Sequence, residues 1–410
     1  MPDTPSSPSP PAAPPGTTTG RYIITFREGA QEQALALMSR SAGIGLVASA
    51  ADFAGGAVDP DQVSDAGAVY FDKLGVAVVS TPPDALQALS VAAAGDDQSA
   101  ILAIEPEWIM AAIVDGDATA ELFGGGSALA DSAAATWGLA ATKVIASQFS
   151  GQGIRVAVLD TGLDLRHPDF AGRQVTSQSF VPGQEVQDLH GHGTHCIGTA
   201  CGARQPATGR RYGIAWQAQI YAGKVLGNDG RGPDGGILAG LNWAVTNGCR
   251  IVSMSLGVQG PPSVAYEQVA QRALAAGTLI VAAAGNDSQR SQNRILPVSR
   301  AANSPSILAV AAVDSSFQVA DFSNRGIVAD GGQVDIAGPG VDVYSAAPMP
   351  TRNRVLSGTS MATPHVAGIA ALWAEARQVT GTALFQVVAG AARSLGALSV
   401  DVGAGLVQAP

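Results

Sequence analysis

The 410-residue chain is predicted to be α/β: a doubly wound, mostly parallel sheet, preceded by a small α+β domain. Three observations predict this. Across 136–410, short apolar runs rich in β-branched residues alternate with helical stretches, the pattern of a parallel sheet with helices on both faces. Across 20–112 the order is strand, helix, strand, strand, helix, strand, which is the ferredoxin-like arrangement. Between them, 113–135 is rich in Gly, Ala, Ser and Asp and has little periodicity, as in a flexible linker where a chain is readily nicked. The composition, 46% hydrophobic and 14% charged, suits chains that bury large cores.

In chain order, residues 1–19 are mostly Pro, Ser, Thr and Ala and are expected to be disordered, because they hold too little apolar surface to fold. Arg21-Tyr22-Ile23-Ile24-Thr25-Phe26 is strand-like, and 31–41 puts Leu35, Leu37 and Met38 near one helical face. Residues 68–72 and 76–80 are two more strand candidates. Pro82-Pro83 opens a helix through Leu89, since a proline at the first position gives up no hydrogen bond. Residues 100–105 close the small domain as a strand. In the larger body, strands are expected at 153–159, 219–226, 250–256, 278–284 and 307–313, with helices at 236–245 and 264–276 among them.

Three stretches of the larger body carry chemistry. The strand 153–159 ends in Asp160-Thr161-Gly162, and functional groups in open α/β sheets gather at the carboxyl ends of strands. His190-Gly191-His192-Gly193-Thr194-His195 opens onto the small-residue segment Cys196-Ile197-Gly198-Thr199-Ala200. Gly358-Thr359-Ser360-Met361-Ala362-Thr363-Pro364-His365 leads into the apolar segment Ile369-Ala370-Ala371-Leu372-Trp373-Ala374, which reads as a buried helix. Pro364 fits the first turn of that helix, which sets Ser360 at its N-terminus, where N–H groups and the helix dipole favour a developing oxyanion. A serine in that place is also an ordinary helix cap, and a strand-end aspartate an ordinary turn residue. Together the three supply a nucleophile, a base and an orienting carboxylate in the order Asp, His, Ser.

That order, with these flanks, resembles the subtilisin-like serine proteases, including those of the proteinase K type. The resemblance implies a subtilisin-like fold in which Asp160 orients the imidazole, His192 is general base and then general acid, and Ser360 attacks the carbonyl. It also rests on Trp137-Gly138, His167-Pro168-Asp169, Phe322-Ser323-Asn324 and Gly338-Pro339-Gly340. Asn286, after the strand 278–284, matches the family's oxyanion-hole asparagine; by itself it reads as a turn residue. Ser255-Leu256-Gly257 matches the edge strand that pairs with substrate, with Ala284-Gly285 as the expected facing wall. Residues 20–112 resemble the propeptide inhibitor domain, and Ile104-Glu105-Pro106-Glu107 resembles its closing sequence.

The resemblance thus implies a serine endopeptidase acting on polypeptides as a monomer, made as an autoprocessed zymogen with its own N-terminal domain as inhibitor and folding aid. A peptide-binding pseudoprotease, or a transpeptidase using the same triad, are the alternative readings. No cofactor is expected for catalysis. His190, His192 and His195 lack the accompanying ligands of a closed metal site, so no catalytic metal is expected. Structural calcium is open: Asp169 matches a position used for it, but 202–210 replaces the usual Asn-rich loop and carries Arg204 and Arg210. Cys196 matches a cysteine of the proteinase K group; Cys201 and Cys249 read as small core residues. A net charge of −10 argues against nucleic acid, and no apolar run approaches the ~18 residues of a membrane span. No Sec-type leader is legible near Met1. The sequence alone therefore suggests the cytoplasm, and the resemblance suggests secretion.

Overall fold

The computed structural model describes residues 17–60, 62–63, 65–95, 98–113, 128–327 and 332–410. The expected disordered tail falls outside the described residues up to position 16, as does 114–127 of the expected linker.

The small domain runs β1 (Thr18–Phe26), α1 (Gln31–Ala42), β2 (Val47–Ser49), β3 (Ala68–Phe71), β4 (Val76–Val79), α2 (Pro83–Ala94) and β5 (Ile101–Ala112). Its sheet order is β5-β1-β4-β3-β2, the ferredoxin-like order with β2 added as a short edge strand parallel to β3. The sequence reading left 47–56 unassigned; β2 and two 3-10 turns stand there. Thr18 and Thr19 belong to β1 rather than to a disordered tail, and the Ile109 N–H donates to the Thr17 carbonyl at 2.7 Å.

The strand period of two divides the small domain's side chains between two cores. Ile24, Phe26, Ala77 and Val79 face its own helices through Ala34, Met38 and Leu89. Ile23, Val76 and Val78 face the other way, into the core that also holds Ile237, Leu241, Tyr266 and Val269 of the larger body.

The larger body begins with α3 (Trp137–Ala141), β6 (Arg155–Asp160), β7 (Val175–Ser179), α4 (His192–Cys201) and β8 (Gln219–Lys224). It continues with β9 (Arg231–Pro233), α5 (Asp234–Thr246), β10 (Ile251–Met254), β11 (Leu256–Gly257), α6 (Val264–Ala275), β12 (Leu279–Ala283) and β13 (Leu308–Val313). It closes with β14 (Ile336–Pro339), β15 (Val343–Ala346), β16 (Asn353–Leu356), α7 (Thr359–Arg377), α8 (Gly381–Gly390) and α9 (Ser399–Val402). The main sheet has the order β14-β13-β12-β10-β6-β8-β7, and every neighbouring pair in it is parallel. Alternation along β6 shows both faces covered: Ala157 and Leu159 share a core with α5 and α6, Val156 and Val158 with α4 and α7. Residues 128–135, expected as linker, already lie on this body: Leu129 N–H donates to Ser315, and Ala135 bridges Arg211.

Two acidic side chains of β5 dock the small domain on the N-termini of two helices. Glu107 accepts from the Gly235 N–H at 2.8 Å at the start of α5, and Glu105 accepts from Ala265 N–H at 2.7 Å at the start of α6. Carboxylates there satisfy orphan donors and meet the positive end of each helix dipole. From α6, Arg272 reaches back and donates to the carbonyls of Leu74 and Phe26.

Candidate active site

Asp160 ends β6, and His192 is the first residue of α4. His192 Nδ1 lies 2.7 Å from Asp160 Oδ1, which also accepts the Thr161 N–H at 2.7 Å. Both side chains are buried. Burial acts to lower the His192 pKa, but the Asp160 charge outweighs it and holds the imidazole well above the usual histidine range.

The loop entering α4 is held by Asp188, which the sequence reading did not single out. Its carboxylate accepts from Thr161 Oγ1, the N–H groups of His190, Gly191 and Thr194, and Thr194 Oγ1. The signal was present, since an aspartate shortly before a helix is a capping candidate.

Ser360 is the second residue of α7. Pro364 does not stand in the first turn, as expected, but inside the helix. Lacking an N–H, it cannot donate to the carbonyl four residues back, and that carbonyl belongs to Ser360. Two other donors satisfy it: Ser255 Oγ at 2.8 Å and Cys196 Sγ at 3.5 Å. The proline thus frees the Ser360 carbonyl to be tied to Ser255, beside β11, and to α4. The Ser360 hydroxyl donates to the Ser255 carbonyl at 3.0 Å, and His192 Nε2 has no hydrogen-bond partner among the described residues. The serine–histidine bond is therefore open while residues 109–113 fill the cleft.

Asn286 is anchored by its oxygen, which accepts from Thr359 N–H at 2.9 Å and Thr359 Oγ1 at 2.8 Å. This fixes the amide so that Nδ2 donates to the Ile113 carbonyl at 3.4 Å. A Cβ built on Gly358 would lie 2.9 Å from Asn286 Nδ2, 3.0 Å from that carbonyl oxygen and 3.6 Å from the Ser360 nitrogen. Three polar atoms thus surround one point, which only a glycine leaves open. If Asn286 serves as an oxyanion-hole donor, Asn286→Ala is expected to keep the fold and lower kcat by about 100- to 1,000-fold with little change in KM, the usual cost of losing one such donor, a figure whose worked case is subtilisin. Steady-state kinetics on a peptide substrate checks it.

Ser255, Leu256 and Gly257 all touch the segment in the cleft. Leu256 pairs antiparallel with Ala112 and Gly257 with Ala111, while the Ile113 N–H donates to the Ser255 carbonyl at 3.2 Å. The strand across the segment is β9: Met110 pairs with Gly232, Ala111 with Arg231, and the Ala112 N–H donates to Gly230 at 2.9 Å. The backbone of Ala284 and Gly285, expected as the wall facing Gly257, is held by Val310, Ser299 and Thr359. The sequence reading missed β9 because Gly230-Arg231-Gly232-Pro233 has no strand propensity; its pairing comes from the segment laid beside it.

Two of the other histidines are fixed by backbone carbonyls. His195 Nε2 lies 3.0 Å from the Val343 carbonyl and burial pushes its pKa down to about 3; His365 Nδ1 lies 2.8 Å from the Met361 carbonyl and burial pushes its pKa down to about 4. Asp160, His192 and Cys196 bring one donor atom each within 4.8 Å of one another. These donors do not suit a metal, because Nδ1 already shares a proton with Asp160 and burial pushes the Cys196 thiol up, away from the thiolate a metal requires. Cys196, Cys201 and Cys249 are all free and buried. Asp169, the position matched to calcium, has its two oxygens accepting from the Ala207 N–H and the Tyr212 hydroxyl. Arg204 and Arg210 from the same loop stack on Trp216 and Tyr344.

Comparison with known proteins agrees with this geometry. Residues 151–405 match the subtilase family. The chain is 38% identical over 257 residues to subtilisin-like protease 2 of Pseudogymnoascus destructans, covering 60% of each chain. It is 42% identical over 240 residues to subtilisin BL of Lederbergia lenta, covering 58% of this chain and 82% of that one. It is also 42% identical over 235 residues to subtilisin DY of Bacillus licheniformis, covering 57% and 80%. For the fungal relatives the matched region spans about half to three fifths of their length, 48% in subtilisin-like protease 1 of Trichophyton rubrum. With the match extending over more than half of its length, the chain belongs to the subtilase family.

Proposed function

We propose that this chain is a serine endopeptidase made as a zymogen, which cuts itself at the bond following Ile113 and is then inhibited by its own N-terminal domain. The observation that carries the reading is the position of the Ile113 carbonyl. It faces Asn286 Nδ2, while the three residues before it are held between β9 and β11 as an added strand. A peptide bond held this way is presented to Ser360 as a substrate's would be.

The chemistry follows from the residues in place. Ser360 Oγ attacks the Ile113 carbonyl carbon as its proton passes to His192 Nε2. The oxyanion that forms accepts from Asn286 Nδ2. Asp160 stabilises the imidazolium and keeps Nδ1 as its donor. His192 then gives the proton to the leaving nitrogen, the C–N bond breaks, and an acyl-enzyme remains on Ser360. Water, deprotonated by His192, releases the acid and restores the serine.

After the cut, the small domain stays seated through Glu105, Glu107 and the carbonyls held by Arg272. N-terminal sequencing of purified protein tests the reading. The large fragment is expected to begin at position 114, with the small one co-purifying until a second protease removes it. A chain that is full length yet fully active and labelled by a fluorophosphonate would overturn the zymogen reading and leave the peptidase intact.

A further inference from the structure

Arg300 is among the largest fully buried side chains of the protein, at 2% exposure, and the chemistry above gives it no role. Its guanidinium lies 5.4 Å from the Trp108 ring centroid and 5.7 Å from that of Tyr266. Among the described residues its charge is met at 3.8 Å, by Glu105 and by Asp234, and Nε and Nη2 have no hydrogen-bond partner. A buried guanidinium with so few bonds is held chiefly by the two rings.

One of those rings belongs to the segment in the cleft. Trp108 stands five residues before Ile113, and the cleft grips it at three points. Its N–H donates to Asp234 Oδ2 at 2.8 Å. Its face lies on Arg300. Its edge lies against Gly260, where an added Cβ would come within 3.2 Å of the ring. The other parts of this seat belong to the larger body. Tyr266 hydroxyl donates to Asp234 Oδ1 at 2.8 Å, and Arg300 exchanges two backbone hydrogen bonds with Val258, both 3.0 Å. The carboxylate is thus held from the larger body's own side when Trp108 leaves, and the guanidinium keeps the Tyr266 ring and the Asp234 charge beside it.

We propose that Asp234, Gly260, Tyr266 and Arg300 form a substrate subsite selective for an aromatic side chain at the sixth residue before the cleaved bond. Asp234 accepts that residue's backbone N–H, and Arg300 offers its face to the ring. The proposal rests on the peptidase reading and adds that polypeptides are read well upstream of the residues beside the bond. Trp108 occupies the subsite in the uncut chain as a substrate's aromatic residue would afterwards.

The test uses processed protein and three internally quenched peptides cut after the same isoleucine. One carries Trp-Ile-Met-Ala-Ala-Ile, one has that Trp replaced by Ala, and one starts at the Met. Wild type is expected to cut the Trp peptide with kcat/KM about three- to thirtyfold above the Ala peptide, the range from an exposed to a desolvated cation–π contact. In Arg300→Met that ratio is expected to fall to nearly one. In Arg300→Lys it is expected to fall partway, because the charge stays and the planar face is lost. Ratios taken within each variant cancel any general loss of activity. An undiminished ratio in Arg300→Met, or no preference for Trp in wild type, overturns the subsite. Failure of all three peptides to be cut would instead count against the peptidase reading. The subsite is then read from the fluorescence anisotropy of labelled Trp and Ala peptides on the processed chain, where equal affinities overturn it and a Trp preference lost in Arg300→Met supports it.

Discussion

Ser360→Ala is expected to accumulate as an uncut 410-residue chain with its fold intact and its peptidase activity lower by about a millionfold, a magnitude that belongs to subtilisin and is carried over here. The fold should survive for local reasons. In this structure the hydroxyl makes one hydrogen bond, to the Ser255 carbonyl, and losing such a bond costs about 1 kcal/mol. Alanine is also the better helix former at the second position of α7. The ties on the Ser360 carbonyl, from Ser255 Oγ and Cys196 Sγ, do not involve the side chain that is removed. The cleft stays filled, because Leu256, Gly257 and β9 hold Met110 to Ala112 by backbone alone. Mass spectrometry of the intact variant, with circular dichroism against wild type, checks both halves. A variant that still shortens to a fragment beginning near 114, in a host lacking other proteases of this specificity, would mean that Ser360 does not make the cut.

The comparison of sequence with structure divides along a physical line. Asp160, His192 and Ser360 could be picked out because three short motifs, each weak alone, follow in the order Asp, His, Ser with the flanks of a known family, each at a strand end or a helix start. The parallel sheet was legible because buried strands carry their apolar character in sequence. What was not legible depends on partners far along the chain. β9 exists because β5 lies beside it, and β5 reaches Ala112 instead of ending at residue 105 because β9 and β11 receive it. Pro364 looked like the opening of a helix because proline favours that place; the helix instead starts at Thr359, and the bond it gives up is made good by Ser255 and Cys196. Arg300 is not singled out by the sequence, because a lone arginine gives no hint that Trp108, Tyr266 and Asp234 will surround it.

Asp160→Asn is expected to lower kcat/KM near neutral pH by about ten-thousandfold, the size of the loss when the orienting carboxylate of such a triad becomes an amide. Asp160 Oδ1 accepts two donors, His192 Nδ1 and the Thr161 N–H, while Oδ2 is buried with no partner among the described residues. An asparagine has two ways to sit there. Keeping its oxygen at the first position buries an NH2 group without an acceptor, which costs about 1–3 kcal/mol. Turning it round sets the NH2 against the Thr161 N–H and forces His192 Nδ1 to accept, so that Nε2 carries the proton and cannot take one from Ser360. Either way the charge that raises the His192 pKa is gone. The sign of the pH effect follows. Catalysis needs neutral His192, so wild-type kcat/KM should climb as pH rises through an ionisation lying above the ordinary histidine value, and the climb should move to lower pH in the variant. Stability runs the other way. A histidine raised on folding contributes stability fully present below its unfolded pKa and lost as pH rises through the folded one, and the variant should lose that dependence. The pH–rate profile and the imidazole proton signals of both proteins measure the shift; an ionisation that stays where it was in wild type would show that Asp160 does not set the charge state of His192.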